Sequence, residues 1–578
     1  MTETRARWRM KMRQKNILLV CREIYTMPMH FLAKLLRKEG VNLAALFVYP
    51  HEALLNHPHY QFFRENNADI PIFDIKKIST KLIDHLKAKN IQIDREMLEK
   101  IESQYTSFYP INLQLMSSQG FTTYYHFDDF NYEASYETHL YWLTLYYQRI
   151  EQIFDEFKPD VIYDTEKAGL GRMIILEVAY ARGIPYVSLE LARFENYWIP
   201  TYSLSIKLES FFRKEFESLK EKYSREDFRN SRGFQYLENF RNKASILSED
   251  QKMINPIVNE WKLFAEIKAL LYGTITAIKM MLKTIRIRRG VAAPLYANCF
   301  VRIKMQWVIF FRNLFIHFLR NGFFCNVNTK ELKYVLFPLH VIPESSIFTK
   351  APYFCSESFL LETLSKSVPW DFKILVKEHW GMLGKRPFSF YNRLKKLKNV
   401  IIVSPFLHKD PKQYIQDCKG VLTISGTSAL EAAFLGKPSI IFGATSFEVL
   451  SCVHKISDIT KIKDIIAQWD TDEKQVNDQE IVSYIETVLK YGRNISLKTI
   501  LYYCAESEKA LLSRLGLGYP TRRRLKRRLY QFLGRSIANL PSCEELDTKV
   551  MAETLKIKEV LEMGVKLFEE DKDIESLT

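Results

Sequence analysis

Residues 421–443 read VLTISGTSALEAAFLGKPSIIFG. The run VLTIS is apolar and β-branched, the signature of a buried strand. TSALEAAFLG has apolar residues at helical spacing and stops at Gly436, and PSIIFG is a second apolar run. Strand, helix and strand joined by short connections form the unit of a parallel sheet covered by helices. In doubly wound sheets ligands lie at the carboxyl ends of the strands, which is where Ser425-Gly426-Thr427-Ser428 falls. Gly426 permits a tight backbone and close approach of a ligand. The free N–H groups of a first helical turn bind phosphate, Thr427 and Ser428 add hydroxyls, and Glu431, one turn further, accepts from sugar or ribose hydroxyls. The same residues also read as a capped turn, with Thr427 or Ser428 as N-cap and Glu431 as its capping-box partner. No GxGxxG or GxxxxGK[ST] accompanies the joint, so neither a nicotinamide cofactor nor a P-loop nucleotide is indicated.

The pattern extends outward. KYVLFPLH (333–340), FKILVKEH (372–379) and NVIIVSP (399–405) read as strands, with helical segments at YFCSESFLLETLSKSV and DPKQYIQDCKG. VIPESSIFTKAP reads as a loop. Near the N-terminus NILLV (16–20), MHFLAKLLRKEG and VNLAALFVYP give strand, helix and strand. FKPDVIYDTEKAGLGRMIILEVAYARGIPYVSLELARFENYW (157–198) repeats that order. Residues 80–150, 205–330 and those after about 460 read as helical. The expected organisation is therefore α/β: an N-terminal Rossmann-like domain over 1–240, a basic helical connector over 241–330, a C-terminal Rossmann-like domain over 331–470 and a helical region over 471–578.

At 578 residues the chain exceeds one ordinary core, and its formal charge of +16 favours an anionic partner. The eight cysteines form no CxxC pair and no Cys/His cluster with zinc spacing, which reads as free thiols in a reducing compartment. MTETRARWRMKMRQK lacks the apolar core of a secretion signal, and no run of about 18 apolar residues occurs, so a cytoplasmic protein is expected. From Lys279 to Arg320 every charged residue is basic, interleaved with Trp307, Phe310, Phe311, Phe315 and Phe318. That mixture suits the inner face of an anionic membrane, and equally a core helix with a basic polar face. TRRRLKRR (521–528) reads as a solvated face. No DNA or RNA motif supports nucleic-acid binding.

FPLHVIPE, LVKEH and TISGTSALEAAFLGKPSIIFG, at these separations, resemble the C-terminal half of bacterial capsular polysaccharide synthesis proteins. These are GT-B-type glycosyltransferases that include Kdo transferases. KPDVIYD and ARGIPYVSLELAR are similar to the matching N-terminal half. The resemblance implies two Rossmann-like domains facing a cleft. A nucleotide-sugar donor lies against the C-terminal domain and a glycan or glycolipid acceptor against the N-terminal one, with no cofactor and no metal. It implies donor contacts from His340, Glu344, Lys377, Ser425, Gly426, Thr427, Ser428 and Glu431. The chain departs from the family pattern at Ile342, where glutamine is common, and at Trp380, where proline is common.

Glycosyl transfer with inversion needs a base for the acceptor hydroxyl and positive charge or N–H donors for the departing phosphate. Asp164, Glu166 and Glu190, at strand ends of the N-terminal unit, are candidates for the base. Asp164 also reads as a turn cap and Glu190 as an ion-pair partner of Arg193. His379 is a further catalytic candidate. Arg172, Glu190 and Arg193 are placed on the acceptor side, Arg172 reading equally as a solvated helix residue. Asp128-Asp129 is the one acidic pair of interest and reads more simply as an exposed loop. Alternatives on this fold are a sugar-nucleotide epimerase, a polyol-phosphate transferase, or a non-catalytic scaffold in polysaccharide assembly or export.

Overall fold

A computed structural model describes residues 15–49, 58–76, 78, 91–117, 135–206, 209–242, 263–286, 299–342, 344–404, 412–470, 476–501, 503 and 544–575. Asp128-Asp129 and the 521–528 basic run lie outside these residues.

Two sheets organise the chain. The first is built from β1 (Asn16–Cys21), β2 (Asn42–Phe47), β3 (Ile72–Asp74), β4 (Val161–Tyr163), β5 (Tyr186–Leu191), β6 (Tyr197–Thr201) and the late β13 (Arg493–Asn494). Its order is β13-β6-β5-β4-β1-β2-β3. β1 to β5 are mutually parallel, and β6 and β13 add an antiparallel edge. The second contains β7 (Tyr334–Pro338), β8 (Lys373–Lys377), β9 (Val400–Val403), β10 (Gly420–Thr423), β11 (Ser439–Ile441) and β12 (Val453–Lys455). Its order is β12-β11-β10-β7-β8-β9, all parallel. Read from the other edge this is the 3-2-1-4-5-6 order of the doubly wound fold. The order reverses between β1 and β4 in the first sheet and between β7 and β10 in the second, and such switch points open the crevices in which ligands sit.

Helices cover both faces, so the strands are near-continuous apolar runs; Ile17 to Cys21 is fully buried. In the N-terminal half α1 (Thr26–Arg37), α2 (Tyr136–Phe157), α3 (Leu170–Ala181) and α4 (Ser210–Arg225) surround the sheet. α5 (Leu263–Arg286) and α6 (Cys299–Phe318) pack side by side in the basic connector. In the C-terminal half α7 (Ser345–Lys350), α8 (Glu357–Ser367) and α9 (Ser428–Phe434) follow β7 and β10. The 341–352 segment, expected to be a loop, thus holds one short helix.

The chain then returns. α10 (Asp478–Tyr491) packs on α4, and α11 (Glu544–Glu575) lies across β5, β6 and α1. Gly564 of α11 sits directly against Val187 of β5 and Pro200 of β6, leaving no space for a side chain. The described part of the C-terminal helical region therefore completes the core of the N-terminal sheet.

Candidate active site between the two sheets

The residues of the opening stretch meet the ends of β7 and β8 at the switch point of the second sheet. His340 follows β7, and its Nε2 lies 3.0 Å from Thr423 Oγ1. Thr423 Oγ1 accepts from the Gly426 N–H at 3.2 Å. The hydroxyl keeps its proton and a second lone pair, so it can pair with His340 Nε2 in either tautomer, while His340 Nδ1 lies 3.4 Å from Glu357 Oε1. A Cβ on Gly426 would lie 2.6 Å from Thr423 Oγ1 and 3.2 Å from His340 Nε2. Glycine is thus required for close approach at this joint.

α9 begins without a side-chain cap from Thr427. The Ser428 hydroxyl is buried with no hydrogen-bond partner among the described residues. The capped-turn reading of these residues does not hold: neither Thr427, Ser428 nor Glu431 closes the turn. Glu431 and Lys377 stand near one another, and among the described residues neither has a hydrogen-bond or ion-pair partner. Burial raises the Glu431 carboxyl to about 7, against the pull of Lys377 and Lys412. Burial also lowers the Lys377 ammonium, which lies 5.8 Å from the centre of the Tyr414 ring. Among the described residues, then, a buried lysine, carboxylate and serine hydroxyl at a switch point make no hydrogen bond or salt bridge, which is unusual for groups that serve only the fold.

His379 turns its Nδ1 to the Gly381 N–H at 3.1 Å. Burial, then Lys377 and Arg386, lower its pKa to about 4, so the ring is neutral at pH 7. With Nδ1 accepting, the proton resides on Nε2 and the ring offers a donor. Glu344 is exposed at the start of α7. Ile342 is buried in the C-terminal core.

Behind this site lies a knot of charges that sequence reading missed. Arg386 is fully buried and holds Glu357, Glu378 (3.1 Å) and the His340 carbonyl (2.5 Å). Glu378 also accepts from Tyr391 Oη at 2.7 Å and from the His379 N–H at 2.6 Å. The knot ties the ends of β7 and β8 together and fixes the backbone of both histidines. A buried carboxylate requires a compensating cation. Glu378, on the opposite pleat from Lys377 and His379 in the KEH run, was the available signal.

The first sheet has its own charged cluster at the β1/β4 switch point. Asp164 is fully buried and accepts from Arg172 Nε (2.7 Å), Tyr186 Oη (2.6 Å) and the Thr165 N–H (2.6 Å). Burial still raises its pKa, opposed by Arg172 and Tyr186. Arg172 is 1% exposed and divides its guanidinium between Asp164 and Glu166 (2.5 Å), so it is not a solvated helix residue. Glu166, whose side chain is 33% exposed, also receives Arg22 at 3.3 Å. Arg22, just past β1, stacks 4.5 Å from the centre of the Tyr49 ring; sequence reading missed it because nothing near 22 resembles a motif. Of the three carboxylates weighed as a base, Glu166 is the one the cluster leaves open to solvent.

Glu190 pairs with Lys350 of α7, across the cleft, and not with Arg193. Burial raises the Glu190 carboxyl, but Lys350 and Lys167 pull it below its ordinary value. Arg193 occupies a left-handed turn with φ of 68°. Thr349, beside Lys350, accepts from Tyr109 Oη at 2.8 Å through its carbonyl and from the Gly169 N–H at 3.5 Å through its hydroxyl. The Lys350 carbonyl accepts from the Ala444 N–H, just past β11, at 3.1 Å. The carboxyl ends of the two sheets therefore face one another through Thr349 and Lys350. Among the described residues no group of three or more His, Cys, Asp or Glu could hold a metal ion.

Two doubly wound sheets with opposed carboxyl ends define the GT-B-like class. Residues 325–473, which contain the second sheet, match the family model described as capsule polysaccharide biosynthesis protein. No curated protein matches the chain. Among solved structures, the beta Kdo 2,7 transferase KpsC of Thermosulfurimonas dismutans is 12% identical; the match covers 58% of this chain and 79% of that one, with a TM-score of 0.27. The S. aureus MnaA–UDP structure is 12% identical over 87% of this chain and 98% of that one, with a TM-score of 0.26. UDP-GlcNAc 2-epimerase from Neisseria meningitidis is 14% identical over 82% and 100%, with a TM-score of 0.23. Likenesses this slight carry no inference.

Proposed function

We propose that the protein is a glycosyltransferase that moves a sugar from a nucleotide-sugar donor to a cell-surface polysaccharide or glycolipid acceptor in capsule synthesis. The observation that carries this reading is the pair Lys377 and Glu431, with the Ser428 hydroxyl beside them on α9. Among the described residues none of the three side chains has a hydrogen bond or salt bridge, and they lie at the switch point of the sheet that matches the capsule family model. Glu431 receives sugar or ribose hydroxyls. Ser425, Gly426, Thr427 and Ser428 lie along the phosphate, and His340 holds that joint in place. Lys377 and the Nε2–H of His379 meet the charge that grows on the leaving phosphate.

In the reaction the acceptor hydroxyl oxygen attacks the anomeric carbon, the bond from that carbon to the phosphate oxygen breaks, and the hydroxyl proton passes to a base. Glu166 is the base in this reading. Asp164 and Arg172 position it, and Arg22 shares its charge. Glu190 and Lys350 hold the acceptor side against the donor side.

The test is nucleotide release from a panel of nucleotide sugars, with and without a capsule-type glycan or glycolipid acceptor. Acceptor-dependent release is expected, falling about 10²–10³-fold in Lys377→Met, the scale for loss of a preorganised charge-stabilising group. Sugar conversion without acceptor would instead identify an epimerase. No turnover and no binding would leave a scaffold.

A further inference from the structure

Most of the large apolar side chains that stand exposed among the described residues lie on α5 and α6. On α5, Phe264 is 82% and Tyr272 73% exposed, and Leu271 stands out beside them. On α6, Phe318 is 70% exposed, in line with Trp307 and Phe311 at four- and seven-residue steps. The exposed faces are not accidents of loose packing. The two helices approach closely where Gly273 meets Gln306, whose Oε1 would lie 2.8 Å from an added Cβ. The other face of α6 is tightly docked, with Met305 and Ile316 in the C-terminal core. Gly384, at a φ of 75°, brings its backbone so near that a Cβ would lie 2.6 Å from the Ile309 carbonyl oxygen. The hairpin is thus anchored on one side and apolar on the other.

An exposed apolar surface of this extent marks an interaction site. Charge selects the partner: between 279 and 320 there are nine basic residues and no acidic one. Among the described residues no helix is long and apolar enough to cross a membrane. Glu266, in the first turn of α5, is the one acidic residue of the two helices. Aromatic and aliphatic stripes on helices with so strong a basic excess lie in the headgroup region of an anionic bilayer, with the apolar side buried at the acyl boundary. We infer that α5 and α6 dock the protein on the surface of an anionic phospholipid bilayer, Phe264, Leu271, Trp307, Phe311 and Phe318 entering the interface. This inference does not depend on the transferase reading.

The test is cosedimentation of the full chain with vesicles of phosphatidylcholine alone and of phosphatidylcholine with added phosphatidylglycerol. Light scattering gives the mass in solution. Binding to the anionic vesicles alone is expected, weakening as salt is raised. Phe264→Ser combined with Leu271→Ser and Phe318→Ser is expected to lower vesicle affinity at least about tenfold, with the melting temperature unchanged. Lys304→Gln with Arg302→Gln removes charge without touching the apolar stripes and is expected to abolish the preference for anionic vesicles, so the inference remains testable if the triple variant fails to fold. Three results would overturn it: wild type left in the supernatant with anionic vesicles, equal binding by the folded triple variant, or a dimer that the triple variant dissociates and that binds no vesicles. The last would make this face an interface between copies of the chain.

Discussion

Glu431 concentrates the conflict between stability and function at the scale of one residue. Its carboxyl is raised to about 7 by burial, so the folded protein binds a proton there that the unfolded chain has already released above the ordinary glutamate range. Stability therefore falls as pH rises from about 4.5 towards and through 7. Glu431→Gln should melt at a higher temperature than wild type at pH 8, with the difference closing near pH 5, while losing affinity for nucleotide sugar. Parallel melts across that range check it, and a variant less stable than wild type at pH 8 would show that the carboxylate serves the fold. His379 poses the complementary case. A neutral ring with its proton on Nε2 donates to a phosphate, so turnover should show no loss attributable to His379 between pH 6 and 8.

At the scale of elements, the strand ends matter more than the strands. Arg386 gathers Glu357 from α8, Glu378 from the end of β8 and the His340 carbonyl from the end of β7. Arg386→Met would leave two buried carboxylates facing each other and should cost about 3–5 kcal/mol, the scale for breaking a buried ion pair. Urea unfolding at pH 7 reads this directly, and a cost below about 1 kcal/mol would place the knot in solvent. The sequence showed the β7–β11 elements because a parallel sheet covered on both faces forces apolar runs such as FKILV and NVIIV; the short β12, Val453–Lys455, has no such run. It also showed the joint at Ser425, because a break between such runs leaves small residues where side chains cannot fit. It did not show the knot: Arg386 and Glu357 meet only through the packing of distant loops and carry no local pattern. For the same reason Arg172 read equally as an acceptor-side residue and as a solvated helix residue, although Asp164 and Glu166 enclose it. The antiparallel edge of β6 and β13 was invisible too, since Arg493-Asn494 is a strand only by pairing with Tyr197 and Trp198.

For the whole molecule, Thr349 and Lys350 join the loops of one sheet to those of the other, beside an apolar core in which Phe194 meets Phe434. The Glu190 carboxyl lies below its ordinary value, so the pair with Lys350 contributes above the unfolded glutamate range and is lost as pH falls through the lowered value. Glu190→Gln should therefore loosen the contact between the halves at neutral pH, as wild type does in acid. Small-angle scattering should give a larger radius of gyration for the variant at pH 7; an unchanged value would mean that the remaining contacts suffice. The return of α11 to the first sheet makes the molecule one cooperative body at that end, with Gly564 against Val187.

In the proposed function a nucleotide binds the second sheet at the joint between β10 and α9, beside Lys377. That binding is tested most directly by the melting temperature of wild type and Lys377→Met in CMP, CDP, UDP, GDP and dTDP. A ligand that binds only the native state raises that temperature by mass action. One nucleotide is expected to raise it for wild type and to leave Lys377→Met unmoved, which would also name the donor class. No shift with any nucleotide, or equal shifts in both proteins, would contradict it.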